Sequence, residues 1–183
     1  MRKLKYYVAT SLDGFIAHED GSFDGFLFEG EQVGDYLDSL KNFDIVLMGR
    51  KTYEVGLKEG KTNPYPMMKS YVFSRSIQES PDENVEIVSE NIIELVTSLK
   101  QETGQDIYLC GGANLATTLF DENLIDEVII KLNPFLMGSG IPLFSGKIQQ
   151  TALELFNSKI YENGVVFLYY QVKTQEYSPL RSR

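Results

Sequence analysis

Two rhythms of apolar and polar residues run along this chain. Residues 3–9 are rich in aromatic and β-branched side chains, which predicts an opening strand. In residues 29–43, Val33, Tyr36, Leu37 and Leu40 recur at i, i+3, i+4 and i+7, one face of a helix. Residues 44–49 then form a short apolar strand ending in glycine, and residues 50–58 read as a helix. Residues 70–74 and 85–88 are further strands. Asn91 and Glu94 have capping-box spacing, ahead of a helix with Ile92, Leu95, Val96 and Leu99 on its apolar face and Gly104 as its stop. Residues 106–110 predict a strand, Gly111-Gly112 a turn, and the stretch through Phe120 a helix. After that the rhythm changes: residues 125–132, 152–160 and 165–172 read as consecutive strands joined by loops. βα units followed by strands predict an α/β sheet, mainly parallel with an antiparallel C-terminal end.

Composition narrows the picture. A chain of 183 residues without linker, repeat or low-complexity run suits one domain, read as residues 1–175 with a flexible tail over 176–183. Hydrophobic residues at 43% and charged residues at 23% exclude a disordered chain. No apolar run approaches the roughly 20 residues that span a bilayer. The N-terminal cations give way to Thr10, Ser11 and Asp13 too soon for a signal peptide, and the single Cys110 suits a reducing compartment, so a cytoplasmic protein is expected. A net charge of -9 argues against a broad nucleic-acid surface, and one histidine with one cysteine excludes an ordinary zinc site. His18, in a polar His-Glu-Asp-Gly turn, reads as a surface imidazole, and Cys110 as the filling of a buried strand end.

The chemistry is expected where strands end and helices begin, because helix N-termini present unpaired backbone N–H groups. Gly49 ends a strand and is followed by Arg50, Lys51 and Thr52. Cations there oppose the helix macrodipole, and a bound anion would remove the conflict; solvated side chains are the alternative. Gly111-Gly112 with Ala113, Asn114 and Leu115 repeats the strand–glycine–helix construction, either as a bare-backbone cradle or as a tight turn needing positive φ. Ser74, Arg75 and Ser76 put hydroxyls and a guanidinium at a third strand end, a phosphate clamp or an ordinary polar loop. Together the three suggest a dinucleotide carrying an extra phosphate.

The segments from Ala9 through Asp13-Gly14 and Ile16 to Ala17, from Val46 through Gly49 to Tyr53, from Tyr71 through Ser74-Arg75, and from Ile107 through Gly111-Gly112 stand in the order seen in the dihydrofolate-reductase-like superfamily. With Asn133-Pro134 through Gly138, Gly140 and Phe144, the chain resembles most the stand-alone relatives of the C-terminal reductase domain of the bifunctional riboflavin-biosynthesis deaminase-reductase, over residues 3–173. The resemblance implies a three-layer α/β fold with helices on both faces of the sheet, a homodimer, and NADPH as cofactor. Ala9 and Ile16 would border the nicotinamide. Gly49, Arg50, Lys51 and Thr52 would hold the pyrophosphate and adenosine end, and Ser74 with Arg75 the 2′-phosphate. Gly111, Gly112, Ala113, Asn114 and Leu115 would receive the pyrophosphate and the nicotinamide side.

Departures from the folate pattern bear on the substrate. The helix position that carries an acid in folate reductases falls on Val33, and the arginine that binds the folate glutamate falls on Met68. Asp35 would point to the opposite side of the helix, whereas Glu29, four residues before Val33, would share its face. Glu29 and Asp13 are therefore the candidate acids, although Asp13-Gly14 is also an ordinary turn. The expected activity is NADPH-dependent hydride transfer to a small pterin- or aminopyrimidine-type heterocycle. The alternatives are a non-catalytic NADPH or nucleotide sensor on the same fold, and a plain dimerisation domain.

Overall fold

Alternation along the strands sorts their side chains onto the two faces of one large sheet. The structure, a computed structural model, is described for residues 1–173. Its elements are β1 (Leu4–Thr10), β2 (Phe15–Ala17), α1 (Glu31–Ser39, continued by a 3-10 turn at Leu40–Asn42), β3 (Phe43–Gly49), α2 (Arg50–Lys58), β4 (Lys69–Phe73), β5 (Val85–Val88), α3 (Ile92–Gln101), β6 (Asp106–Gly111), α4 (Ala113–Asp121), β7 (Glu127–Leu132), β8 (Ile141–Pro142), β9 (Leu153–Ile160) and β10 (Val166–Val172). Eight strands lie in the order β5-β4-β3-β6-β1-β7-β10-β9. The six from β5 to β7 are parallel, and β10 and β9 close the sheet antiparallel. This is the expected α/β sheet with its antiparallel end.

Each face has its own core. Leu4, Tyr6, Leu47, Leu109 and Val128 pack under Val96 and Leu99 of α3 and Leu115, Ala116 and Leu119 of α4. On the other face Tyr7, Val46, Met48, Tyr108 and Phe167 meet Tyr36 and Leu40 from the α1 region and Tyr53 of α2. Full burial of side chains of this size contributes roughly 1.5–3 kcal/mol each, which is why the central strands read as nearly continuous apolar runs. The N-terminal edge of the sheet is tied by ion pairs: Arg2 with Asp44, Lys100 with Asp126 at 2.6 Å, and Lys3 and Lys5 with the buried Glu127 at 2.6 and 3.2 Å.

Several local expectations change. Helix α1 begins at Glu31 behind Gly30 at φ 115°, so Glu29 precedes the helix and does not share a helical face with Val33. Leu37, expected on the apolar face, is 56% exposed, while Gln32 is fully buried. Gln32 is tolerated there because its amide donates to the Glu29 carbonyl at 2.6 Å and accepts from Asn163 at 3.0 Å. Asn91 sits in the left-handed region at φ 54° and makes no side-chain cap, so the capping box at Asn91 and Glu94 does not form. The small antiparallel sheet of β2 and β8 is additional to the predicted strands. The tail over 176–183 lies outside the described residues. Among the described residues no helix is long and apolar enough to cross a membrane.

Candidate functional site

Because β4, β3, β6 and β1 are parallel neighbours, their C-terminal ends lie side by side on one edge of the sheet. That edge carries, in spatial order, Ser74-Arg75, Gly49-Arg50, Gly111-Gly112 and Ala9. At the usual strand spacing it is roughly 14 Å long. The predicted residues come from four distant stretches of sequence, and the fold brings them into one row. After β3 the chain runs outward through α2 to β4 on one face; after β6 it runs through α4 to β7 on the other. The β3–β6 border is therefore a topological switch point, the place where open α/β sheets bind ligands.

Glycine is required there. A Cβ on Gly112 would stand 3.1 Å from the Gly49 Cα, and Gly112 holds φ +104°. A Cβ on Gly111 would lie 3.3 Å from the Thr52 hydroxyl oxygen. The two strand-to-helix turns thus touch backbone to backbone, and α2 and α4 begin from this contact with no side-chain cap and no acidic residue in the first turn. Two helix N-termini therefore adjoin at one place, a setting suited to an anion such as a pyrophosphate.

The side chains around it are already occupied to different degrees. Arg50 donates to Glu54 at 2.7 Å across one helical turn, an exposed pair of small net strength that a phosphate could exchange. Ser74 is buried, and its oxygen accepts the N–H groups of Ser76 at 3.2 Å and Ile77 at 2.9 Å. It therefore builds the turn that carries Arg75. Lys51 and Arg75 are exposed and make no ion pair among the described residues, in contrast to the paired lysines and arginine of the opposite edge. Ala113 and Leu115 are buried at the start of α4, and Asn114 is exposed. Ile16 lies on β2, half-buried.

The two candidate acids have different surroundings. The Asp13 carboxylate accepts from the Ser11 hydroxyl at 2.6 Å and from the N–H groups of Met137 at 3.0 Å and Gly138 at 2.7 Å. Those bonds lower its pKa to about 2 and tie the turn after β1 to the loop before β8. Glu29 is exposed ahead of α1, and it is its carbonyl that Gln32 binds. His18 hydrogen-bonds the Asp24 carbonyl at 3.0 Å in a loop, as a surface imidazole would.

Other groups on the α1 face were not visible in the pattern. Below Gly111, the hydroxyls of Tyr36 and Tyr108 are 3.1 Å apart, those of Tyr36 and Tyr65 3.3 Å, and Tyr65 reaches the Cys110 sulfur at 3.0 Å. Burial raises the Cys110 thiol pKa, so it is a poor nucleophile, in line with its reading as strand-end filling. Lys131 of β7 pairs in register with Ala9 of β1, and buried Asn133 ties the same strand ends to the loop at Leu27. A lysine after Val128, Ile129 and Ile130 was the one available signal. The apolar groove lined by Phe120, Ile130, Leu143 and Leu153 lies on the α4 face and includes none of the predicted cofactor residues.

Residues 2–167 match the RibD C-terminal domain. The chain belongs to that family. It is 40% identical over 169 residues to the uncharacterized protein YwjB of Bacillus subtilis (strain 168), covering 92% of this chain and 97% of YwjB. A Shewanella sp. PV-4 protein provisionally assigned to riboflavin biosynthesis has the same fold, with a TM-score of 0.80 at 24% identity over 95% of this chain and all of that one. The fold also matches the Thermotoga maritima diaminohydroxyphosphoribosylaminopyrimidine deaminase/5-amino-6-(5-phosphoribosylamino)uracil reductase, with a TM-score of 0.69 at 16% identity. That match covers 94% of this chain and 57% of the Thermotoga chain. As a RibD C-terminal domain the protein is reductase-like.

Proposed function

We propose that this RibD-type domain is an NADPH-dependent reductase that transfers a hydride to a small pterin- or aminopyrimidine-type heterocycle. The observation that carries this is the Gly49–Gly112 contact at the switch point, with two helix starts that no side chain caps and the cations Lys51 and Arg75, without an ion pair among the described residues, beside it. The residues present fit the cofactor. Gly49, Gly111 and Gly112 offer bare backbone to a pyrophosphate, with Arg50 and Thr52 beside it. Arg75, three strand positions away from Ala9, suits a 2′-phosphate when the nicotinamide lies at Ala9 and Ile16. When bound, the cofactor supplies the hydride chemistry; the chain supplies orientation and charge. The family supports an acceptor of the ribosylaminopyrimidine class. Val33 and Met68, at the positions of the folate acid and arginine, argue against folate.

A non-catalytic NADPH sensor is the second reading, favoured by Val33 and by the three hydrogen bonds that hold Asp13 as an acceptor. Calorimetric titration with NADPH and NADH, followed by NADPH oxidation in the presence of 5-amino-6-(5-phosphoribosylamino)uracil and of dihydrofolate, separates the two. Micromolar NADPH binding with oxidation supports the reductase. Binding without oxidation of either supports the sensor, and no binding overturns both. On this proposal the protein works as a cytoplasmic homodimer, a state supported by the exposed outer strand β9.

A further inference from the structure

Lys131 is a half-buried cation that no carboxylate neutralises among the described residues. It is paired in register with Ala9 on one side and with Phe167 on the other, so its side chain leaves the sheet on the α1 face beside Ala9. Its ammonium donates to the Leu27 carbonyl and lies 5.4 Å from the centre of the Phe28 ring. Asn133 holds this arrangement: it accepts the Leu27 N–H at 3.0 Å and donates to the carbonyls of Thr10 at 3.2 Å and Lys131 at 3.1 Å. The acids of α1, on the same face, are engaged elsewhere: Glu31 and Asp35 by Lys159 at 2.8 and 2.5 Å, Asp35 also by Tyr161 at 2.6 Å, and Asp38 by Lys41 at 2.6 Å. Burial lowers the Lys131 pKa, as expected for a cation without an anion beside it. One carbonyl and one ring face only partly replace its hydration. A partly desolvated charge kept in this condition beside the row of strand ends is explained by negative charge that arrives with a ligand.

On the cofactor reading above, we propose that Lys131 faces the reacting end of the bound cofactor and substrate. There it favours the neutral reduced nicotinamide over the cationic oxidised form, and it selects acceptors whose reacting heteroatom gains negative charge. In the reaction, the C–H bond at nicotinamide C4 breaks with both electrons and a C–H bond forms on the acceptor carbon. The acceptor's C=N or C=O π pair moves to its heteroatom, which then takes a proton from water. Lys131 stabilises that pair electrostatically and is itself unchanged.

The test is calorimetric titration of wild type, Lys131→Met, Lys131→Gln and Lys131→Arg with NADPH and with NADP+, alongside Lys41→Met as a remote cation control. Wild type is expected to prefer NADPH. Either neutral variant should lower the NADPH-over-NADP+ preference roughly tenfold, through tighter NADP+ binding. Lys131→Arg should keep the preference, and Lys41→Met should leave it untouched. Wild type that binds neither cofactor overturns the cofactor reading and this assignment with it. Wild type that binds, with a preference unchanged in a folded Lys131→Met or Lys131→Gln protein, overturns the assignment of Lys131 alone. Thermal unfolding of each variant establishes that it is folded.

Discussion

Gly112 shows how much of the site a single missing side chain decides. Its φ of +104° is a backbone conformation that side chains rarely adopt, and a Cβ there would press to within 3.1 Å of the Gly49 Cα. Gly112→Ala is therefore expected to cost about 1–3 kcal/mol of stability from backbone strain alone. It should also weaken NADPH binding more than tenfold, because it separates the two turns. Urea denaturation and calorimetry measure the two effects; an alanine variant with wild-type values for both would remove the turn contact from the account. Arg75 is the complementary case, an exposed guanidinium without an ion pair among the described residues. Arg75→Ala should weaken NADPH by about tenfold through one lost charge-assisted pair and leave NADH nearly unchanged. Equal losses for both cofactors would contradict its assignment to the 2′-phosphate. Both residues could be singled out in the sequence, because glycine and a cation at a strand end have local physical reasons. Lys131, Asn133 and Gln32 could not, since their meaning lies in cross-strand register and in hydrogen-bond partners more than 100 residues away.

At the scale of elements, the helices and the inner strands were legible because each buries an apolar face, and β9, exposed throughout, was legible only as a strand-length run between loops. The failures have local causes. β2 and β8 have three and two residues, too short for any period to show. Helix α1 starts late because Gly30 at φ 115° breaks the backbone after Glu29. The small β2–β8 sheet is held in place partly by Asp13, and this gives a pH prediction. The folded-state pKa of Asp13 is about 2, below its ordinary value, so the folded protein favours the carboxylate. The resulting stabilisation is present above pH about 4 and is lost as pH falls through about 2. Asp13→Asn should therefore be less stable than wild type at neutral pH, with the difference shrinking as pH falls from about 4 to about 2. Other carboxylates contribute to the wild-type acid limb, so the quantity to follow is the wild-type minus variant difference in urea midpoint across that range. A difference independent of pH would mean that the Asp13 carboxylate does not tie the two loops.

For the whole molecule, the two edges of the sheet differ. β5 is a four-residue edge strand with Val85 buried, whereas β9 has eight residues and every one of them is exposed. Leu153, Leu155, Phe156 and Ile160 are between 43% and 77% exposed, and the apolar groove beside α4 reaches the strand at Leu153. A long, apolar, unpaired edge promotes association unless something covers it. A second copy is the simplest cover: an antiparallel strand related by a two-fold axis presents the same residues to itself, and closed symmetry limits assembly to a dimer. A stable interface needs roughly 800 Å² from each partner, more than one strand edge offers, so the neighbouring groove and the outer face of β10 should be included. Wild type should then sediment at about twice the chain mass of 20.8 kDa at micromolar concentration. Phe156→Asp with Ile160→Asp should give the single-chain mass while the fold, followed by circular dichroism, is kept. The cofactor row lies at the C-terminal ends of β4, β3, β6 and β1, at least two strands inside β9. NADPH affinity in the monomeric variant is therefore expected to stay within about twofold of wild type, as for independent sites. A wild-type protein that sediments as one chain would remove β9 as a self-association surface, and a variant that loses NADPH along with the dimer would place part of the cofactor site across the interface.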